Sequence, residues 1–417
     1  MATGQAVFYL LAGLLPLAAV AFFSGRRRAL ATAGDTPLHS RPGYYGWYAV
    51  VWLAVPAVAV AIAAALADLL GLIEVPPTMV LAAALALAAA GLWLGLRTVR
   101  PGLRARNIVE AAVRWLLLAA SLVSILTTLG IVLSILFEAV RFFHIVSLWQ
   151  FLTGTTWSPD TAFLGGAGRT GENIAHPEFG SVPLFAGTFM ITAIAMAVAL
   201  PVGLLSAIYM SEYAPKKVRN AAKPTLEVLA GIPTVVYGFF AAITVSPLVV
   251  QAAHSIGMDA SYSNALAPGI VMGVMIIPFV SSLSDDVISA IPQTMREGSF
   301  ALGATPSETI KHVLLPAALP GVVAAFILAV SRALGETMIV VMAAGLRPNL
   351  TANPLEDMTT VTVSIVASLT GDNEFDSAAT LSAFALGLVL FVVTLTLNFV
   401  SVVMIRRFRE KYTVSNL

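Results

Sequence analysis

Glu297-Gly298-Ser299-Phe300-Ala301-Leu302-Gly303, then nine residues, then Val313-Leu314-Leu315-Pro316 is the stretch on which the reading of this chain turns. It is amphipathic and lies between two apolar runs, about 267–290 and 319–345. Gly303 allows a sharp turn between two short helices. Pro306 suits the first turn of the second helix. Glu297 falls where the first helix is expected to start, next to the positive end of its dipole. A rigid helix-turn-helix of this kind can fit a groove on a soluble partner. A glutamate and a glycine alone would describe an ordinary amphipathic loop. The full spacing, and the position ahead of the penultimate apolar run, favour a docking element.

The surrounding chain sets the solvent. Of 417 residues, 58% are hydrophobic and 11% charged, with a mean hydropathy of +0.89. Soluble domains are about one quarter charged. So large an apolar share cannot be hidden in one globular core, because folded surfaces need polar cover. A soluble enzyme is excluded, and a polytopic membrane protein is indicated. The net charge of +1 gives no reason to expect a nucleic-acid partner. The absence of cysteine excludes disulfides, thiolate metal sites and cysteine nucleophiles. The N-terminus does not read as a signal peptide, since Arg26, Arg27 and Arg28 follow the first apolar run and nothing basic precedes it.

A spanning helix needs about 20 apolar residues. Nine runs qualify: about 6–23, 47–70, 77–96, 115–137, 183–210, 226–250, 267–290, 319–345 and 379–405. They are continuous and rich in Ala and Leu, not alternating as β-barrel strands would be. Pro201, Pro233 and Pro278 are expected inside spans, where neighbouring helices can satisfy the freed carbonyls. With the first connection inside, 19 of the 23 Lys and Arg fall on inner segments; only Arg141, Arg169 and Arg347 fall outside, and Arg332 lies within a span. The positive-inside rule then predicts a periplasmic N-terminus and a cytoplasmic C-terminus. Two outer loops are long, about 138–182 and 346–378.

The quoted stretch resembles the Glu-Ala-Ala coupling loop of ABC-importer permeases. Its spacing is kept, with Gly298 and Ser299 at the second and third positions and Val313 in place of Ile. Further segments are similar to the permeases of phosphate ABC importers: Phe179–Thr188, Pro201-Val202-Gly203, Ser211-Glu212-Tyr213-Ala214-Pro215, Gly231–Gly238 and Arg332-Ala333-Leu334-Gly335-Glu336-Thr337-Met338. The outer segment Trp149–Pro159 resembles the PstC-type subunit in particular. The resemblance covers about 110–417 and implies a six-helix permease core. It also implies a membrane heterodimer with a second, PstA-like permease, a PstB-like ATPase dimer, and a PstS-like periplasmic phosphate-binding protein. Glu297, Gly303, Leu315 and Pro316 would form the ATPase-coupling loop. The chain carries no Walker A pattern and only five lysines, so ATP hydrolysis is expected in a separate chain.

Arg332 and Glu336 are four apart on the expected eighth span, which would place them on one helix face. Charge within a span is costly and marks a pathway, a helix-locking pair or a pair that snorkels from a helix end. Arginine suits phosphate because its planar fork donates two hydrogen bonds to two oxygens. Ser331 and Thr337 point off the Arg332 face and rank lower. Asp285 and Asp286 suggest a metal or proton site, or plain solvation at the membrane edge. Asp68 reads as an interface residue, and Glu227 as one half of a surface pair with Lys223. Gly269 and Gly273 have the spacing of close helix packing. Trp149 and Trp157 suit an interfacial belt or a docking surface. His39, His144, His176, His254 and His312 are scattered without metal spacing, so no metal and no cofactor are expected.

The expectation is an all-α polytopic protein of the inner (cytoplasmic) membrane, lodged in the lipid bilayer. Residues 1–109 would add three accessory helices, and 110–417 would be the permease domain. The chain would be a transport subunit and not an enzyme. A permease for sulfate or molybdate is the nearest rival. A secondary transporter would show inverted repeats and no coupling loop. A purely structural or sensory membrane partner would leave the Arg332–Glu336 pair without a transport role.

Overall fold

The computed structural model describes residues 3–34, 36–69, 71, 76–159, 177–370 and 376–413. Arg169 and His176, with the rest of 160–176 in the first long loop, lie outside the described residues. Helices dominate: α1 Thr3–Ala33, α2 Pro42–Leu69, α3 Pro77–Thr98, α4 Ala105–Ile145 and α5 Leu148–Thr153 come first. A two-stranded hairpin, β1 Trp157–Ser158 and β2 Glu178–Phe179, follows. Then come α6 Val182–Tyr213, α7 Lys216–Ala230, α8 Thr234–Ser255, α9 Leu266–Ser289, α10 Gln293–Ala301 and α11 Pro306–Leu334. The chain closes with α12 Met338–Ala343, α13 Val361–Thr370 and α14 Ala378–Thr413.

Among the described residues, eight helices are long and apolar enough to cross a membrane: α2, α3, α4, α6, α8, α9, α11 and α14. The remaining expected run, 6–23, lies within α1, whose side chains are described from Ala12 onward. The chain forms two compact units, Met1–Gly130 and Ile131–Leu417, with the boundary inside α4.

In the first unit α1, α2 and α3 pack through glycines. A Cβ on Gly25 would lie 2.6 Å from the Tyr45 carbonyl oxygen, and one on Gly91 would lie 2.0 Å from that of Trp52. Without side chains there the helix backbones approach closely, as membrane helices do where small residues meet. Tyr45 is fully buried, and its hydroxyl donates to the carbonyls of Pro101 and Leu103, both at 3.0 Å.

The second unit is built round α6 and α9. Ile191, Ala195 and Ala199 of α6 meet Val271, Met272, Met275 and Ile276 of α9, joined by Ala329 of α11 and Ile339 and Val340 of α12. A Cβ on Gly269 would press Ile194 at 2.7 Å, and one on Gly273 the Ala195 carbonyl at 2.8 Å. The glycine spacing therefore does set this crossing. Pro201 and Pro278 lie within α6 and α9 as expected.

Four expected features are corrected. The sixth span begins at Thr234 instead of 226, because Gly231-Ile232-Pro233 breaks the helix. Pro233 is the cap before α8, where a proline fits without losing a helical hydrogen bond, so it is not inside a span. Lys216–Ala230 instead forms the separate amphipathic α7, none of whose residues is fully buried. The eighth span stops at Leu334, short of 345. The second long loop carries α13, whose Val361, Val363 and Ser364 are buried. In the first long loop Trp157 is buried in a ring cluster with Phe142, Phe151 and Phe179, edge to face at 5.4–6.3 Å. It is a core residue and not a belt residue. Trp149 is 76% exposed.

Candidate transport and coupling site

Arg332 stands in the last turn of α11. Its guanidinium carbon lies 5.7 Å from the centroid of the Phe279 ring of α9, within cation–π range. It opens on a cavity of about 270 Å³ shared by α6, α7, α9 and α11. Lys223 and Glu227 of α7, and Met275, Phe279, Ser282 and Asp285 of α9, line the same space.

The expected shared face of Arg332 and Glu336 is not found. α11 ends at Leu334, and Glu336 follows its Gly335 cap. The Glu336 carboxylate turns forward and accepts from the backbone N–H groups of Met338 (3.1 Å) and Ile339 (3.4 Å). Those are orphan donors at the start of α12, and a carboxylate is a good partner for them. The Glu336 carbonyl accepts from the Thr362 hydroxyl at 2.9 Å, fastening the break to α13. Among the described residues no ion pair joins Arg332 to Glu336. Ser331 donates to Asn398 of α14 at 3.2 Å, and Thr337 to the Gly335 carbonyl at 3.4 Å.

Asp285 is 1% exposed, so membrane-edge solvation is corrected for this residue. Its carboxylate accepts from Arg219 Nη2 at 3.1 Å and from Lys223 Nζ at 3.2 Å. Lys223 also donates to Asp286 at 3.1 Å, where the carboxylate is 63% exposed. The surface pairing expected between Lys223 and Glu227 is replaced by these bonds. The hydrogen bonds that Lys223 donates to Asp286 and Asp285 raise its pKa above the ordinary 10.5, so the ammonium stays charged at neutral pH. These contacts pin α7 to one end of α9. Such pairs could not be read from sequence, because the partners stand more than 60 residues apart.

The loop between α9 and α11 is a helix-turn-helix. α10 ends at Ala301, and Gly303 takes φ +85°, the left-handed conformation that a turn here requires. Ala304 N–H returns to the Ser299 carbonyl at 3.2 Å, closing the last turn. Thr305 and Glu308 form a reciprocal capping box with Pro306 in the first turn of α11. Leu302, at the tip, is 91% exposed, and Phe300 and Met295 are exposed beside it. Glu297 is the fifth residue of α10 and not its first, because the helix starts at Gln293. Leu315 and Pro316 lie within continuous α11 and not in a loop.

Arg296 of α10 is buried, and nothing in the sequence marks it apart from the other basic residues. It is the most heavily bonded side chain there. Its Nη2 donates to Glu212 Oε1 at 2.7 Å and to the Ile288 carbonyl at 2.9 Å, and its Nη1 donates to the Ile291 carbonyl at 2.7 Å. Glu212 belongs to the Ser211–Pro215 segment, yet nothing in the sequence pairs it with a residue 84 positions on.

Residues 199–411 match the family described as "binding-protein-dependent transport system inner membrane component". Residues 11–72 match one described as "phosphate ATP-binding cassette transporter". The chain is 32% identical over 303 residues to the "probable ABC transporter permease protein YqgH" of Bacillus subtilis, covering 72% of this chain and 91% of that one. It is 33% identical over 322 residues to the "phosphate transport system permease protein PstC 1" of Mycobacterium tuberculosis, covering 71% and 93%. A bacterial alginate ABC transporter structure overlaps at a TM-score of 0.48 with 17% identity, over 72% of this chain and 96% of that chain. This is an all-α, multi-pass membrane transport subunit. It belongs to the binding-protein-dependent transport system inner membrane component family.

Proposed function

We propose that this chain is a permease subunit of an ATP-driven importer that carries inorganic phosphate into the cytoplasm. The observation that carries this reading is the pair of phosphate-linked matches. One is to a PstC relative along 93% of that protein, and the other is to residues 11–72, ahead of the expected permease core. The Arg332 guanidinium on its cavity supports it. A desolvated oxyanion needs a compensating cation, and arginine supplies one that cannot lose its proton. The broken helix at Gly335–Thr337 is of the kind that borders substrate passages in transporters.

In this reading 110–417 is the permease domain and 1–109 an accessory region. Arg332 lines the pathway, and Glu336 holds open the break beside it. Glu297, Gly303 and the exposed Leu302 seat the loop on a separate ATPase, with Leu315 and Pro316 continuing that element into α11. The partners are a PstA-like second permease, a PstB-like ATPase dimer and a PstS-like periplasmic binding protein. The N-terminus is periplasmic and the C-terminus cytoplasmic in this reading, which the distribution of basic residues supports.

The test is uptake of radiolabelled phosphate by cells expressing the chain with those partners, with sulfate and molybdate as competitors. ATP-dependent phosphate uptake unaffected by either competitor is expected. Uptake of sulfate or molybdate in place of phosphate would overturn the substrate, and uptake without ATP would overturn the class.

A further inference from the structure

We propose that the Arg296–Glu212 pair is the positioning joint through which movement of α10 is passed to the end of α6 and on to α7. In an ATP-driven transporter this would connect the docking loop with a wall of the passage. The inference rests on the function proposed above and goes beyond it by naming the residues that transmit the motion.

The guanidinium sits where four pieces of chain converge. Arg296 belongs to α10, Glu212 to the π turn that ends α6, Ile288 to the last turn of α9, and Ile291 to the connector between α9 and α10. The Glu212 carboxylate receives Nε at 3.2 and 3.3 Å and Nη2 at 2.7 Å. The Ile288 and Ile291 carbonyls receive the remaining bonds at 2.9 and 2.7 Å. The two side chains are 11 and 14% exposed. A charge pair so shielded from water is weakly screened, and its planar fork fixes direction as well as distance.

The other end of the linkage is α7. It begins three residues after Tyr213 and has no fully buried residue. Arg219 and Lys223 bind it to Asp285 and Asp286. Lys223 and Glu227 face the cavity that Arg332 lines. Displacing α10 pulls Arg296, Arg296 carries Glu212, and Glu212 moves the corner from which α7 hangs. A helix held by ion pairs whose cations are 35% exposed can shift without opening the α6–α9 core. The pair thus joins the exposed tip at Leu302 to the cavity wall through contiguous bonds, one physical route by which coupling between two sites is carried.

A pair that merely staples the fold would lower the amount of assembled transporter and leave its efficiency per molecule alone. A joint alters efficiency. The experiment therefore measures oxyanion uptake and ATP hydrolysis in the same proteoliposomes, using the complete transporter with its ATPase and binding protein. Glu212→Gln keeps the shape and removes the charge, and Arg296→Lys keeps the charge and removes the fork. The expected result is a fall in anion taken up per ATP hydrolysed of about fivefold or more, the lower end of ordinary coupling strengths. ATP hydrolysis per recovered complex should stay within about twofold of the parent, a change too small to account for such a fall. An unchanged ratio in either variant overturns the proposal. So does failure of both variants to assemble, which would mark the pair as a structural lock. The parent transporter in the same vesicles separates this from the functional reading: if it carries no phosphate, the substrate assignment fails, while the ratio is still read with whichever anion it does carry.

Discussion

Arg332 and Glu336, four residues apart, do not share a helix face: α11 ends between them at Leu334, and the Glu336 carboxylate caps the start of α12. The arginine is left facing the cavity with the Phe279 ring as its neighbour. The two residues therefore have separable roles, and their variants should behave differently.

Arg332→Gln is expected to abolish phosphate uptake while the complex with the ATPase is recovered intact. Arg332→Lys should transport poorly, since it keeps the charge but loses the two-pronged donor. Glu336→Gln should be mild, because an amide oxygen can still accept from Met338 and Ile339. Glu336→Ala removes the cap and should cost about 1 kcal/mol of stability. Uptake and complex recovery, measured together, check this. Near-parental uptake by Arg332→Gln would take the arginine out of the pathway, and collapse of the complex would make it a structural residue.

Asp285 and Asp286 are expected to part company as well. Asp285→Asn leaves Arg219 and Lys223 facing a neutral amide at a buried position and should destabilise the protein by about 1–3 kcal/mol. Asp286→Asn, at an exposed position, should cost less than about 0.5 kcal/mol. Thermal unfolding of the purified complex in detergent measures both. Lys223 adds a pH signature. Its pKa is raised in the folded chain, so its contribution is fully present below the ordinary lysine value of 10.5 and is lost as pH rises through the folded value. The penalty of Lys223→Met should accordingly be constant near neutrality and shrink only in strong alkali.

Gly303 has open space around its missing Cβ but a φ of +85°. Gly303→Ala should therefore cost about 1–2 kcal/mol from backbone strain alone. Gly303→Trp adds bulk at a position where a Cβ meets no described atom within 4 Å. Any loss of ATPase association or ATP-driven uptake in Gly303→Trp beyond that of Gly303→Ala reports contact with a partner. Equal behaviour of the two variants would remove the turn from the docking surface.

Orientation is open to direct labelling, since the chain has no native cysteine. Leu302→Cys (91% exposed) should react with an impermeant maleimide only after the inner face of the membrane is made accessible. Trp149→Cys (76% exposed) should react in intact spheroplasts. The reverse pattern would invert the topology.

The membrane solvent, the all-helical class and the helix-turn-helix were legible in the residues themselves. Each is dictated by local chemistry: long apolar runs have no other stable home, and a glycine followed three residues later by a proline punctuates a helix whatever surrounds it. The glycine spacing at Gly269 and Gly273 was legible for the same reason. What only the tertiary structure decided was pairing. Arg296 finds Glu212, and Lys223 and Arg219 find Asp285, across more than 60 residues of chain, and a charged side chain's partner is set by where helices cross. Folding also moved Glu336 off the Arg332 face. An i, i+4 relation holds only while the helix continues, and Gly335 together with a carboxylate able to cap α12 made stopping there the lower-energy choice. Trp157, expected in a membrane belt or on a docking surface, is drawn into a buried ring cluster by the Trp157–Phe179 strand pair, a contact that exists only once the hairpin has closed.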